Sequence, residues 1–124
     1  MTVTKYILLV DDSELIRSAT RHFLEGQTGF KVCGEAVDGI DALEKASHLR
    51  PDLIILDIAI PHMNGLQTAR ELRARMHRMP IILFTWYVDA VQPEDIEKAG
   101  INAVISKTNP SALQSHVNSL LAAA

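Results

Sequence analysis

The sequence predicts an α/β fold: a single doubly wound (βα)5 domain, with a five-stranded parallel sheet covered by helices on both faces. Three observations predict it. Apolar runs of strand length alternate with segments of helical period, and this alternation repeats five times along the chain. The runs Leu53–Leu56 and Ile81–Phe84 are apolar at every position, as strands buried on both faces require. The 124 residues give one domain, 1–124, and no room for a second. At that size roughly two-thirds of the unfolded surface is buried, so the core needs no metal or disulfide staple.

The elements follow in order. Tyr6 to Val10 is an apolar run closed by Asp11 and Asp12, and the segment after it places Leu15, Ile16, Ala19 and Phe23 on one helical stripe. Gly26 and Gly29 mark a turn, after which Phe30, Val32, Gly34 and Ala36 alternate as a shorter strand near a sheet edge. Asp38 and Gly39 precede a second helix with an inward stripe of Ile40, Leu43 and Ala46 and with Ala42 beside it; Pro51 closes the connection. Leu53 to Leu56 is the third strand, ended by Asp57. Pro61-His62-Met63-Asn64-Gly65 is loop chemistry, with Asn64 as cap of a helix that carries Leu66, Ala69, Leu72 and Met76 inward. After the fourth strand, Pro93-Glu94-Asp95 reads as the first turn of a short helix ended by Gly100. Ala103 to Ile105 is the fifth strand, and Asn109-Pro110 opens a last helix with Leu113, Val117, Leu120 and Leu121 inward.

Composition removes several function classes. The net charge of −3 and pI near 5.9 lack the basic face of a phosphate-backbone binder, so direct nucleic-acid binding by this chain is not expected. No apolar run nears the roughly 20 residues needed to cross a bilayer, and no signal-peptide pattern opens the chain. Cys33 is the single cysteine and reads as a small core residue, and the expected compartment is the cytoplasm. The five histidines, His22, His48, His62, His77 and His116, do not cluster at metal spacing and are expected at the surface.

In a doubly wound sheet, ligands bind outside the carboxyl ends of the strands where strand order reverses. The residues ending the strands are Asp11 and Asp12, Asp57, Thr85 and, just past the fifth, Lys107. If strands one and three are neighbours, as in the flavodoxin-like order 2-1-3-4-5, three carboxylates meet there. Two like charges about 4 Å apart cost about 4 kcal/mol at an effective dielectric near 20, so three need a cation. An all-oxygen set without Cys or His suits a hard ion such as Mg²⁺. With Lys107 and a hydroxyl, such a pocket could hold a phosphoryl group, with a carboxylate as nucleophile. Taken singly, the acids read equally as strand-end caps, Lys107 as a solvated lysine and Thr85 as a loop hydroxyl.

The adjacent Asp11-Asp12, Asp57 with Pro61 four and Gly65 eight positions later, Thr85 and Lys107 together resemble the CheY-like receiver domain of two-component response regulators. The resemblance covers essentially the whole chain. Val32-Cys33-Gly34-Glu35-Ala36 and Gly39-Ile40-Asp41-Ala42-Leu43 are further similar to receivers of the LuxR/NarL type. The resemblance implies that Asp57 is the phosphoacceptor for a sensor histidine kinase or phosphotransfer protein. It implies Mg²⁺ on Asp12, Asp57 and the Ala59 backbone carbonyl, with Asp11 acting through water. Lys107 would pair with Asp57 and then with a phosphoryl oxygen, and Thr85 would donate to another, switching the surface of helix four, strand five and helix five. The partner is then an output domain or effector, with a homodimer left open, and the chain is a regulatory phosphoacceptor, not an enzyme acting on other molecules.

Trp86 and Tyr87 follow the switch Thr where receivers usually have a small residue, and Val104 replaces the usual aromatic three positions before the Lys. Trp86 or Tyr87 is therefore expected to shield the site and report its state. The same two departures suggest the alternative: a receiver-like interaction module that signals without phosphorylation. A haloacid-dehalogenase-type phosphatase would have Asp-x-Asp, not an adjacent pair followed by Ser13. A flavin or dinucleotide domain would have a Gly-rich phosphate loop where Asp11-Asp12 would repel phosphate.

Overall fold

Five parallel strands form one sheet in the order β2-β1-β3-β4-β5 in a computed structural model that describes residues 3–27 and 29–122. The strands are β1 Lys5–Val10, β2 Phe30–Ala36, β3 Leu53–Leu56, β4 Ile81–Thr85 and β5 Ala103–Ser106. The helices are α1 Glu14–Glu25, α2 Gly39–Leu49, α3 Gly65–Arg75, α4 Pro93–Ala99 and α5 Pro110–Ala122, with a short 3-10 turn over Val88–Ala90. Among the described residues no helix is long and apolar enough to cross a membrane.

Strand alternation divides the core between the two sheet faces. Leu8, Val10, Ile54, Leu56 and Leu83 pack on one side with Ala42, Ala46, Ala69 and Leu72 of α2 and α3. Ile7, Leu9, Ile55, Ile82 and Phe84 pack on the other with Leu24 of α1 and Leu113, Val117 and Leu121 of α5. A central strand must be apolar on both sides for this to work, which is why β3 reads Leu-Ile-Ile-Leu.

Four of the sequence expectations need correction; β2, expected to be a shorter strand, has seven residues and is the longest. In α1 the buried residues are Thr20 and Leu24; Ile16 is partly buried, Leu15 is 79% exposed, and Ala19 and Phe23 also face outward. The apolar stripe misleads because Thr20 satisfies its hydroxyl inside the helix, on the Ile16 carbonyl at 2.8 Å, and so can face the core. In α2 Ile40 is exposed, while Gly39, Ala42, Leu43 and Ala46 are buried. In β2 the register against β1 shifts between Ile7 and Leu8, where Cys33 stands as an extra residue. Val32 and Ala36 therefore fill opposite cores although period two would place them together. Cys33 itself is partly buried, its Sγ 3.6 Å from the Ile7 carbonyl oxygen, and all five histidines are exposed.

Helix ends carry the chemistry the sequence announces. Ser13 Oγ, Asp38 Oδ1 and Asn64 Oδ1 accept from the backbone N–H groups of Ile16, Asp41 and Gln67, capping α1, α2 and α3. Gly100 ends α4 in the left-handed region at φ 61, where a side chain would be strained and would meet Arg73.

Candidate functional site

Register places the polar set. Val10 and Leu56 are the last paired residues of β1 and β3, so Asp11 and Asp57 leave the sheet side by side. Asp57 N donates to the Val10 carbonyl at 3.0 Å and Asp11 N to the Ala36 carbonyl at 3.1 Å, which carries the ladder one step past the strand ends. On the far side Thr85 pairs with Ser106, and Lys107 N donates to the Thr85 carbonyl at 3.0 Å. The four side chains emerge at the carboxyl edge of three adjacent strands and of β5.

The centre of the arrangement is Lys107. Its Nζ lies 2.6 Å from Asp11 Oδ2 and 2.7 Å from Asp57 Oδ2, with Asp57 4% and Lys107 9% exposed. Asp11 Oδ1 accepts from Ser13 N at 2.9 Å and Asp57 Oδ1 from Ala59 N at 3.3 Å, so each carboxylate is held at both oxygens. Burial alone would lower the Lys107 pKa; the hydrogen bonds it donates to Asp11 and Asp57 and the charges of those carboxylates outweigh it and hold the ammonium above the ordinary lysine value. Thr85 is fully buried, and its Oγ accepts from Tyr87 N at 3.1 Å, leaving the hydroxyl proton free of that bond.

The sequence places three carboxylates together; the structure joins two of them through the ammonium, and Asp12 is exposed to solvent. Among the described residues no group of three acidic, imidazole or thiol side chains is arranged to hold a metal. The donor chemistry nonetheless fits a hard divalent cation. Asp11, Asp12 and Asp57 carry three formal negative charges against one on Lys107, every available donor is oxygen, and the exposed Ala59, whose N–H lies on Asp57 Oδ1, adds a backbone carbonyl next in the chain. Asp12, Asp57 and the Ala59 carbonyl are the groups that could hold it, with Asp11 behind them.

Two close approaches fix the loop beyond Asp57. Gly65 N donates to the Ile58 carbonyl at 2.9 Å, and a Cβ at Gly65 would stand 2.3 Å from the Asp57 carbonyl oxygen, so any side chain there would force the Asp57–Ile58 backbone to move. His62, at φ 68, brings Nδ1 to 2.9 Å from Asp38 Oδ2 and ties the loop to the start of α2. The backbone N–H of Asp41 and the His62 ring hold the Asp38 carboxyl below its usual value.

Trp86 is 53% exposed, its ring centroid 6.0 Å from Lys107 Nζ, at the distance limit of a cation–π contact. It flanks the lysine at the mouth of a groove of about 230 Å³ between α1 and α5, lined also by Phe23, Phe84 and Pro110. Tyr87 is exposed beside it and touches the site through its backbone N–H. Sequence reading missed Arg17, whose Nη1 donates to the Asp11 carbonyl at 2.6 Å and whose Nε donates to Glu35 Oε1 at 2.9 Å. The signal available was its position one turn after Ser13, from which a long side chain points back toward the helix start.

Comparison with known proteins identifies the family and the fold. The family model described as the response regulator receiver domain matches residues 7–118. The chain is 38% identical over 103 residues to a protein-glutamate methylesterase/protein-glutamine glutaminase of Nocardioides sp., covering 82% of this chain and 28% of that protein. It is 31% identical over 106 residues to the transcriptional regulatory protein LiaR of Bacillus subtilis, covering 86% of this chain and 50% of that one. Among solved structures it resembles a LuxR-family two-component response regulator from Aurantimonas sp. at TM-score 0.88 and 26% identity, over 97% of this chain and 86% of that one. The chemotaxis response regulator CheY4 of Vibrio cholerae aligns at TM-score 0.82 and 29% identity, over 95% and 99%. The chain spans 28% to 51% of the length of the curated relatives it matches.

Proposed function

The chain belongs to the response regulator receiver domain family, and from that premise we propose that Asp57 is the phosphoacceptor of a two-component phosphorelay. The observation that carries the proposal is the Lys107 ammonium held between Asp11 and Asp57 at the carboxyl edge of the sheet. A phosphoacceptor carboxylate must be desolvated and beside a cation that can follow the charge onto a phosphoryl group, and the buried Asp57 on Lys107 has both features.

In the proposed reaction an Asp57 carboxylate oxygen attacks the phosphorus of a phosphohistidine on a sensor histidine kinase or phosphotransfer protein. The P–O bond forms, the P–N bond breaks, and the imidazole leaves with a proton from solvent. Lys107 then exchanges its bond to Asp57 for one to a phosphoryl oxygen, and the Thr85 hydroxyl donates to another. Asp12, Asp57 and the Ala59 carbonyl would hold Mg²⁺, with Asp11 reaching it through water; when bound, the ion neutralises charge on the transferred group. Drawing Thr85 toward the phosphoryl group pulls on the Trp86–Tyr87 segment and on the turn that leads to α4. The output is a population shift in the surface of α4, β5 and α5, read by an output domain, an effector or a second copy of the chain. On this reading residues 1–124 are one receiver domain working in the cytoplasm, and its chemistry is confined to its own phosphorylation and dephosphorylation.

Incubation with Mg²⁺ and acetyl phosphate, followed by intact mass, tests the proposal. A phosphoryl adduct is expected on the wild type and none on Asp57→Ala. An unmodified wild type would instead support an interaction module that signals without phosphorylation, the reading that Trp86 and Val104 suggest.

A further inference from the structure

Arg17 is a charged residue that reaches the edge of the site and that the proposed reaction does not use. Its side chain is only 12% exposed, and it spans three elements: it grows from α1, binds Glu35 of β2 and donates to the carbonyl of Asp11 beyond β1. That carbonyl lies past the last ladder pairs of β1, Val10 with Ala36 and Val10 with Leu56. Glu35 is itself fixed. Arg21 Nη2 holds its second carboxylate oxygen at 2.7 Å, and Lys45 Nζ donates to its backbone carbonyl. Arg17 also lines a recess of about 10 Å³, the size of one water, that it shares with Asp11 and Asp57.

We infer that Arg17 is a positioning residue for the phosphoacceptor site: held by Glu35, it fixes the Asp11–Asp12 peptide plane and with it the direction from which the Asp12 carboxylate reaches a bound cation. The inference rests on the function proposed above. The carbonyl held by Arg17 and the N–H of Asp12 belong to one rigid amide plane, so restraining the oxygen restrains the backbone from which Asp12 departs. A guanidinium to carbonyl bond of 2.6 Å is charge-assisted and short. Glu35 binds the Arg17 guanidinium on one oxygen and Arg21 on the other, so it holds Arg17 in place and offsets part of the positive charge beside the site. Asp12 is exposed and has no described side-chain partner, so its backbone is the part of it that the surrounding protein holds.

The test uses the whole chain as wild type, Arg17→Gln, which is too short to reach the Asp11 carbonyl, and Arg17→Lys, which keeps the charge and one donor. Mg²⁺ affinity is read by titration calorimetry, folding by thermal unfolding without Mg²⁺, and the peptide plane by the Asp12 amide resonance. Folded Arg17→Gln is expected to bind Mg²⁺ at least about tenfold more weakly, in the range seen when groups that orient metal ligands are removed, with the Asp12 amide displaced and Arg17→Lys intermediate. Affinity within about twofold of wild type in folded Arg17→Gln would overturn the inference, since orienting groups act by larger factors. If neither variant folds, Arg17 is a purely structural clamp and the inference is likewise overturned. A wild type that takes up no Mg²⁺ would instead overturn the site reading itself and carry this inference with it.

Discussion

Lys107 sets the terms for the residues around it. Two buried carboxylates and one ammonium leave a net charge of −1, and removing the ammonium leaves two like charges facing each other out of water. Lys107→Met is expected to lower the unfolding free energy at pH 7 by about 3 to 5 kcal/mol, measured by urea denaturation. A loss below about 1 kcal/mol, the value of an exposed ion pair, would mean that the triad is solvated. The pH dependence has a definite sign. The folded pKa of Lys107 lies above its unfolded value, so the ammonium's contribution is complete below about pH 10.4 and is lost as pH rises through the folded value. An NMR titration of the Lys107 side chain should therefore end above the ordinary lysine range, and Asp57→Asn should move it down. An unchanged midpoint in Asp57→Asn would contradict the pairing. These residues were legible in the sequence because strand ends are legible. Arg17 was not read, because its role depends on a backbone carbonyl, which no residue type marks, and only its position one turn after the Ser13 cap pointed toward the site.

At the scale of elements, hydrophobic period located the five strands and four of the α-helices, Pro93-Glu94-Asp95 located α4, and caps such as Asn64 and Gly100 marked helix ends, while the 3-10 turn Val88–Ala90 left no such signal. Period failed where a polar residue satisfies itself or where the ladder slips. Thr20 bonds within α1 and turns the helix away from its apparent stripe, and the extra residue at Cys33 sends Val32 and Ala36 to opposite faces. Substitutions on α1 separate the two faces. Leu24→Ala is expected to cost about 2 to 5 kcal/mol as a core truncation, whereas Leu15→Ser, at an exposed position, should stay within about 0.5 kcal/mol. Comparable losses at both positions in urea unfolding would restore the stripe read from sequence. Gly65 tests how α3 is seated against the site. A methyl group there meets the backbone of Asp57 and Ile58, which cannot yield as a flexible side chain would. Gly65→Ala is expected to destabilise by about 1 to 3 kcal/mol and to slow phosphorylation of Asp57; a variant as stable and as reactive as wild type would show that the loop can shift freely.

Across the whole molecule, the doubly wound topology brings β1, β3, β4 and β5 to one edge and gathers there residues separated by up to 96 positions, from Asp11 to Lys107. The chemistry of that edge could be read from the sequence because a parallel sheet sends all its carboxyl ends the same way. The rotamers could not: Asp12 lies open to solvent, and Lys107 reaches both Asp11 and Asp57. Trp86, the one tryptophan in the chain, stands beside that lysine and follows Thr85 directly, so its emission should respond to Mg²⁺ with a phosphoryl analogue. A spectrum indifferent to both would remove Trp86 as a reporter of the switch. The central claim is that one carboxylate, Asp57, receives the phosphoryl group, and it is met most directly by chemical trapping. Borohydride reduces an aspartyl phosphate to homoserine, so peptide mass analysis after treatment with Mg²⁺, acetyl phosphate and borohydride identifies the residue that carried it. Homoserine at position 57 is the predicted result, and homoserine at position 11 or 12, or at none, would contradict it.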